Sequence, residues 1–295
     1  MTVLFIGLGA MGEPMARNLA ADVDLVVYDV NAQTAARVAD DLGIRALSDL
    51  DDLPADIDTV ILMVPNSRIV EALLRDDTAL LERLPEGALI IDMSSSEPGS
   101  TSALAALARS RGISYVDAPV SGGVAKATTG ELAIMVGAEP DDLVRAEPVL
   151  ASVGASVHHV GGPGSGDAAK ALNNLLSATN IAAIAEVVSA AARFGIAPQK
   201  MLDVINASTG RSQASEVKYP KFVLTGTFDS GFGMDLMLKD LAIAHTLTSG
   251  AGLDTPVTDS AGEVARQARE VANTPPDHTE IARYYESANG VLLRR

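Results

Sequence analysis

Cysteine and tryptophan are missing from the 295 residues, and aromatic residues make up only 3%. Without a thiol there is no disulfide and no thiolate nucleophile. A core with so few rings must be built from Ala, Val, Leu, Ile and Met, whose compact side chains suit closely packed helices. Histidine is scarce as well. Of the four, His158 and His159 are adjacent, which is not a metal-ligand spacing such as HxxxH, so no metal site is expected. Positive charge is also short: 22 Lys and Arg stand against 38 Asp and Glu, for a net charge of −16. No broad basic face can be assembled from that balance, so no nucleic-acid partner is expected. An anionic substrate would need a local cluster of positive groups.

Long hydrophobic runs are the last absence. Val3-Leu4-Phe5-Ile6 has no basic segment before it and is soon broken by Gly7 and Gly9, so it reads as a strand and not as a signal peptide. The stretch from Ile181 to Ala192 carries Glu186 and is too short for a bilayer, so it reads as a buried helix. A cytoplasmic protein without a membrane partner is the expectation.

What is present alternates. Apolar or β-branched runs at Val3–Ile6, Leu25–Tyr28, Thr59–Val64, Leu89–Ile91 and Tyr115–Val116 read as strands. The stretches Met11–Ala21, Ala32–Leu42, Arg68–Leu74 and Thr101–Ser110 between them read as helices. Such alternation implies right-handed βαβ units and a mostly parallel sheet, which Leu132–Val136 and Val157–Val160 continue. After Gly161-Gly162-Pro163-Gly164 the texture becomes helical. A run from Asp167 to Phe194 predicts a helix ~42 Å long at 1.5 Å per residue. Pro198–Ala207, Met234–Ser249, Pro256–Val271 and Thr279–Ala288 predict four more helices, with no strand. The expected organisation is an α/β Rossmann domain over 1–162 and an all-α domain over 163–295, of which 163–195 is the linking helix.

Gly7-Leu8-Gly9-Ala10-Met11-Gly12 is a G-x-G-x-x-G between a predicted strand and a predicted helix. The first glycine permits the tight turn, the second lets the backbone approach a pyrophosphate, and the third lets helix pack on strand. Asp29 ends the second strand at about the spacing of the carboxylate that binds a ribose 2′-hydroxyl. It would repel the 2′-phosphate of NADP. The residues that follow, Val30 and Asn31, include no arginine, so NAD is the expected cofactor.

Two further segments bear chemistry. Asp117-Ala118-Pro119-Val120-Ser121-Gly122-Gly123 follows a strand, at the sheet end where ligands bind. Its glycines and the Ser121 hydroxyl make a small anion cradle or, read more plainly, a tight turn. In the linking helix, Lys170 and Asn174 are four apart and share a face, with Asn173 beside them. Most lysines are solvated, but this helix is otherwise nearly all apolar, so its polar residues are either satisfied in a cleft or costly. The helix N-terminus and burial both disfavour the lysine ammonium, which suits a general acid or base.

Together these segments resemble the 3-hydroxyisobutyrate dehydrogenase family of β-hydroxyacid dehydrogenases. Phe5–Leu19 is similar to its N-terminal signature, Asp117–Gly123 to its substrate loop and Gly166–Asn174 to its catalytic helix. Leu238-Lys239-Asp240-Leu241-Ala242 is similar to its C-terminal motif. The resemblance implies Lys170 as catalytic acid/base and Asn174 as the residue that orients substrate. It implies that Ser121, Gly122 and Gly123 hold the substrate carboxylate, and that Lys239 and Asp240 lie where cofactor and substrate meet. Val64, Pro65 and Ser95 would line the nicotinamide; Ser95 stands where the family usually has threonine. Reversible oxidation of a short β-hydroxy acid to its semialdehyde is implied, in a homodimer or homotetramer.

The alternatives are a noncatalytic NAD-binding sensor or scaffold, and an imine or 2-oxo-acid reductase of the superfamily. Lys170 argues against imine reductases, which replace the lysine. Asn173, at the position of a histidine, argues against decarboxylating relatives. Within the helical part, Arg211 lies in the polar break Thr209-Gly210-Arg211-Ser212 and reads either as a permanent positive charge for an anionic substrate or as a structural residue.

Overall fold

The computed structural model describes residues 1–294. The chain forms two compact units, one from Met1 to Lys170 and one from Ala171 onward.

The first unit opens with β1 (Thr2–Ile6), α1 (Gly12–Leu19), β2 (Asp24–Tyr28), α2 (Ala32–Leu42) and β3 (Arg45–Ala46). It continues with β4 (Thr59–Leu62), α3 (Ser67–Glu71), α4 (Leu80–Arg83), β5 (Leu89–Asp92), α5 (Pro98–Ser110) and β6 (Ser114–Asp117). These six strands lie in the order β3-β2-β1-β4-β5-β6, all parallel. That is the order of a doubly wound dinucleotide-binding sheet, whose ligand crevice lies between β1 and β4. The remaining elements are β7 (Val120–Ser121), α6 (Gly123–Thr129), β8 (Leu132–Gly137), α7 (Pro140–Val153) and β9 (Gly154–Gly161). Here the sheet departs from parallel, since β8 runs antiparallel to β6 and β7 and parallel to β9.

Strand alternation builds two cores. Val3, Phe5, Val27 and Ile61 face Met15, Leu19, Val38 and Val149, whereas Leu4, Ile6, Val60 and Leu62 face Val70, Leu74, Leu104 and Ala108. Five of these elements were not foreseen in the sequence, among them the two-residue β3 and the four-residue α4, too short to show a period. Helix α7 carries Pro140 at its start and Pro148 inside, and an internal proline normally argues against a helix. The short pair β7 and α6 lies within the glycine-containing loop, where turn chemistry masks it.

Helix α8 (Ser165–Phe194) crosses from the first unit into the second and rises ~45 Å over its 30 residues. By length and composition alone it is long and apolar enough to cross a membrane, in contrast to the short stretch expected. Its packing accounts for its character instead: Leu175, Ala178, Ile181, Ala185 and Val188 lie in the core of the second unit. There they meet α9 (Pro198–Asn206), α10 (Met234–Gly250), α11 (Pro256–Val271) and α12 (Ile281–Asn289). Between α9 and α10 the chain forms a π-helical segment, Ala214–Val223. It was unforeseen, as Pro220 interrupts it. The fully buried Tyr219 of that segment donates to the Ile181 carbonyl at 2.7 Å.

Two buried carboxylates tie the start of α8 to the sheet and its loops, and a third orders the loop after β5. Asp117, the last residue of β6, accepts from Gly164 N–H at 2.7 Å and Asp167 N–H at 3.0 Å. Asp167 accepts from Ser96 N–H at 2.9 Å and the Thr101 hydroxyl at 2.8 Å. Asp92, the last residue of β5, accepts from Ser94 N–H at 3.0 Å and from the Tyr115 hydroxyl at 3.1 Å. Burial pushes all three carboxyl groups upward, Asp117 to about 6. A proton on Asp117 is therefore bound more tightly in the folded than in the unfolded chain. The resulting contribution to stability is complete below the ordinary Asp value of about 4 and is lost as pH rises through about 6. Urea midpoints measured from pH 4 to 7 should fall more steeply with pH for the wild type than for Asp117→Asn. Identical pH dependence in the two proteins would remove Asp117 from this role.

Candidate active site

The turn after β1 is shaped by close approach. Gly7 has φ +101°, and a Cβ on it would stand 2.3 Å from the Met63 carbonyl oxygen. A Cβ on Gly12 would stand 1.9 Å from the Gly7 oxygen. Packing within the protein therefore demands glycine at both positions. Gly9 differs, because a Cβ there would meet no protein atom within 4 Å. Its glycine leaves backbone open toward whatever lies outside the turn, as the approach of a pyrophosphate requires. Helix α1 begins there with no side-chain cap, at the end of a helix that favours anions. Ala10 is exposed and Met11 half-buried, whereas the Leu8 side chain is buried in the core, so only the Leu8 backbone belongs to the turn.

Asp29 follows β2 directly and is half-buried. One carboxylate oxygen accepts from Leu8 N–H at 2.7 Å and the other from Asn31 N–H at 2.8 Å. The acid thus stitches the glycine turn to the end of β2, and each oxygen keeps lone-pair capacity for a ribose hydroxyl. Asn31 caps α2 by accepting from Gln33 and Thr34 N–H, and Val30 is exposed. These features fit a dinucleotide without a 2′-phosphate. Val64, Pro65 and Ser95 stand beyond the carboxyl ends of β4 and β5, on the ligand side of such a sheet. Val64 N–H donates to the hydroxyl of the buried Ser94 at 3.1 Å, so Ser94 joins the two strand ends while the half-buried Ser95 lies beside it.

Lys170 is 9% exposed, and its Nζ donates to the Val120 carbonyl at 2.8 Å. That contact brings the lysine to the loop in which Ser121 ends β7, Gly122 has φ +140° and Gly123 opens α6. The structure therefore joins Lys170 and the Ser121–Gly123 segment within the first unit. Asn174, one turn further along α8, is 6% exposed, whereas its neighbour Asn173 is exposed.

Within the second unit, Asn174 Nδ2 donates to Asp240 Oδ2 at 2.5 Å. The other oxygen, Asp240 Oδ1, lies 3.4 Å from Lys239 Nζ. Asp240 is 2% exposed, so its carboxylate fixes the Asn174 amide with the oxygen turned away from it. Arg211 is exposed on the segment between α9 and the π-helical stretch. The hydrogen bonds there run between Ser212 and Ser215, and Arg211 neither caps a helix nor pairs with an acid among the described residues.

The buried acids Asp92, Asp117 and Asp167 and the acceptor Val120 carry the site's support and were not assigned roles from sequence. A signal existed for two of them. Leu89-Ile90-Ile91-Asp92 and Ser114-Tyr115-Val116-Asp117 repeat the pattern of Leu25-Val26-Val27-Tyr28-Asp29, an apolar strand that ends in aspartate. Among the described residues no group of His, Asp and Glu is placed to hold a metal ion.

Known proteins share this organisation. A family model described as the NAD binding domain of 6-phosphogluconate dehydrogenase matches residues 2–161. One described as NAD-binding of NADP-dependent 3-hydroxyisobutyrate dehydrogenase matches residues 164–285. The 2-(hydroxymethyl)glutarate dehydrogenase of Eubacterium barkeri is 39% identical over 98% of this chain and 96% of that protein. The NAD-dependent L-serine dehydrogenase of Pseudomonas aeruginosa is 32% identical over 98% of this chain and 99% of that one. The structure of Mycobacterium tuberculosis 3-hydroxyisobutyrate dehydrogenase with L-serine superimposes with a TM-score of 0.87 at 32% identity, covering 96% of this chain and 98% of that one. The chain belongs to the 3-hydroxyisobutyrate dehydrogenase family and is an NAD-dependent dehydrogenase of hydroxy acids.

Proposed function

We propose that this enzyme reversibly oxidises short β-hydroxy acids of the form HOCH₂–CH(R)–CO₂⁻, related to 3-hydroxyisobutyrate, to the corresponding semialdehydes. The observation that carries this reading is the buried Lys170 amine, held by the Val120 carbonyl next to the Ser121–Gly123 loop. NAD, when bound, supplies the hydride acceptor for the carbinol carbon. Lys170 takes the hydroxyl proton as the carbonyl forms, and its ammonium returns that proton in reduction. Ser121 and the backbone of Gly122 and Gly123 hold the carboxylate. Asn174, whose amide nitrogen is held by Asp240 and whose oxygen accepts from Asn173 Nδ2 at 3.3 Å, orients the substrate.

The names of the relatives support the common unit. 2-(Hydroxymethyl)glutarate, L-serine and 3-hydroxyisobutyrate all carry the CH₂OH group on the carbon that bears a carboxylate, and they differ in R. Arg211, exposed and without an acidic partner among the described residues, suits an R group that ends in a second carboxylate.

Three outcomes are expected. Lys170→Ala should lower kcat by ~10²–10⁴-fold while calorimetry shows NAD binding little changed; retention of more than about a tenth of kcat would remove the lysine from proton transfer. Initial rates over a panel of hydroxy acids should be highest for those with CH₂OH next to the carboxylate-bearing carbon. Preference for acids whose hydroxyl is on that carbon itself would overturn the substrate class. Arg211→Met should raise KM for 2-(hydroxymethyl)glutarate more than for 3-hydroxyisobutyrate, and equal KM values in mutant and wild type would exclude it from substrate binding.

A further inference from the structure

Glu13 follows Gly12 and stands in the first turn of α1, its N–H donating to the Gly9 carbonyl at 3.0 Å. An acid suits that helix end, but it also sets negative charge beside the turn that meets a dinucleotide. The structure answers with two arginines. Arg37 of α2 grips both carboxylate oxygens, Nη1 to Oε1 at 3.0 Å and Nη2 to Oε2 at 2.6 Å. Arg17, one turn along α1, donates to Oε1 from Nε at 3.2 Å and from Nη2 at 2.9 Å. Asp41 closes the ring, with its Oδ2 2.7 Å from Arg17 Nη2 and 3.6 Å from Arg37 Nη1. Two acids and two bases alternate, with no net charge. The Arg37 hydrogen bond is the largest influence holding the Glu13 carboxyl at about 2, so it is ionised at any working pH.

Such partly exposed pairs contribute little to stability. Their position gives them another use. Helix α2 starts directly after Asn31, two residues beyond Asp29. Arg37 stands six residues past Asn31, about 9 Å along the axis, and helical side chains lean toward the N-terminus. A guanidinium released at this position could swing toward the end of β2, where the 2′-phosphate of NADP would lie and where an arginine accommodates it.

We propose that Glu13 is a cofactor-specificity residue. By holding Arg37 and Arg17 in a ring with Asp41, it denies a 2′-phosphate its counter-charge and so excludes NADP alongside Asp29. This rests on the placement of the ribose at Asp29.

The test is calorimetric titration of NAD and NADP at low ionic strength into wild type, Glu13→Gln, Arg37→Met and the double variant, with kcat/KM measured for both cofactors. Glu13→Gln should tighten NADP by about fivefold or more and leave the Kd for NAD within about twofold. Arg37→Met added to Glu13→Gln should remove the gain. An unchanged NADP Kd in Glu13→Gln, or a gain that survives Arg37→Met, overturns the proposal. If Glu13→Gln does not fold, Asp41→Asn loosens the same ring and is held to the same outcomes. Asp29→Ser separates the two readings. A shift toward NADP in Asp29→Ser with none in Glu13→Gln overturns the Glu13 proposal alone, and no shift in Asp29→Ser overturns the ribose placement and this proposal with it.

Discussion

The buried carboxylate of Asp117 is the contact on which the placement of Lys170 and its neighbouring loop in the first unit depends. It ends β6, and its two oxygens take the Gly164 and Asp167 N–H groups at the start of α8. The N-terminus of a 30-residue helix carries unsatisfied donors and a positive dipole end, and a strand-borne carboxylate satisfies both. One turn on, Lys170 reaches back to Val120, three residues beyond Asp117 itself. The same few residues therefore set the helix origin, the lysine and the Ser121–Gly123 loop. The contact is so close that a Cβ on Gly166 would stand 2.8 Å from Asp117 Oδ2, and one on Gly137 2.4 Å from Oδ1. At Gly137 the clamp itself excludes a side chain, and at Gly166 it does so together with the Met135 carbonyl, 2.5 Å from such a Cβ. The cost of the clamp is desolvation, visible in the raised Asp117 carboxyl.

The device recurs along the sheet. Asp29, Asp92 and Asp117 each stand at the carboxyl end of a parallel strand, and each accepts backbone N–H from a loop or helix start at that edge of the sheet. The loops at the ligand edge are thereby ordered by acids, in a chain whose net charge is −16. At Asp29 the interaction serves the glycine turn; at Asp92 and Asp117 it serves the serine loop and the lysine helix. Positive charge is placed residue by residue, as with Lys170 against the Val120 carbonyl in the first unit and Lys239 beside Asp240 in the second.

Much of this was legible in the sequence, and the omissions have physical causes. Helices α2 and α11 begin and end where capping, proline and periodicity place them, because Asn31, Gly43 and Pro256 act locally. The glycine turn and Asp29 could be read because each residue type there answers one geometric demand. Helix α7 could not, since Pro148 obscures an element supported by the packing of Val149, Leu150 and Val153. The partner of Lys170 was also hidden: it is a backbone carbonyl, and a carbonyl has no residue identity to read. The four-residue spacing put Asn174 on the Lys170 face with Asn173 beside it, and Asn174 is indeed the buried one, but its Asp240 partner, 66 residues on, could not be read locally. The Glu13–Arg37 pair joins two helices at a separation of 24 residues, beyond any local pattern.

The central claim is that the Lys170 amine carries the proton of the oxidised hydroxyl. Chemical rescue of Lys170→Ala by small primary amines addresses it most directly. Turnover should return in proportion to amine concentration, and the rescued rate should rise with amine basicity in the oxidative direction, as general-base catalysis requires. A variant that turns over at the wild-type rate without amine, or a rescued rate indifferent to amine basicity, would contradict the claim.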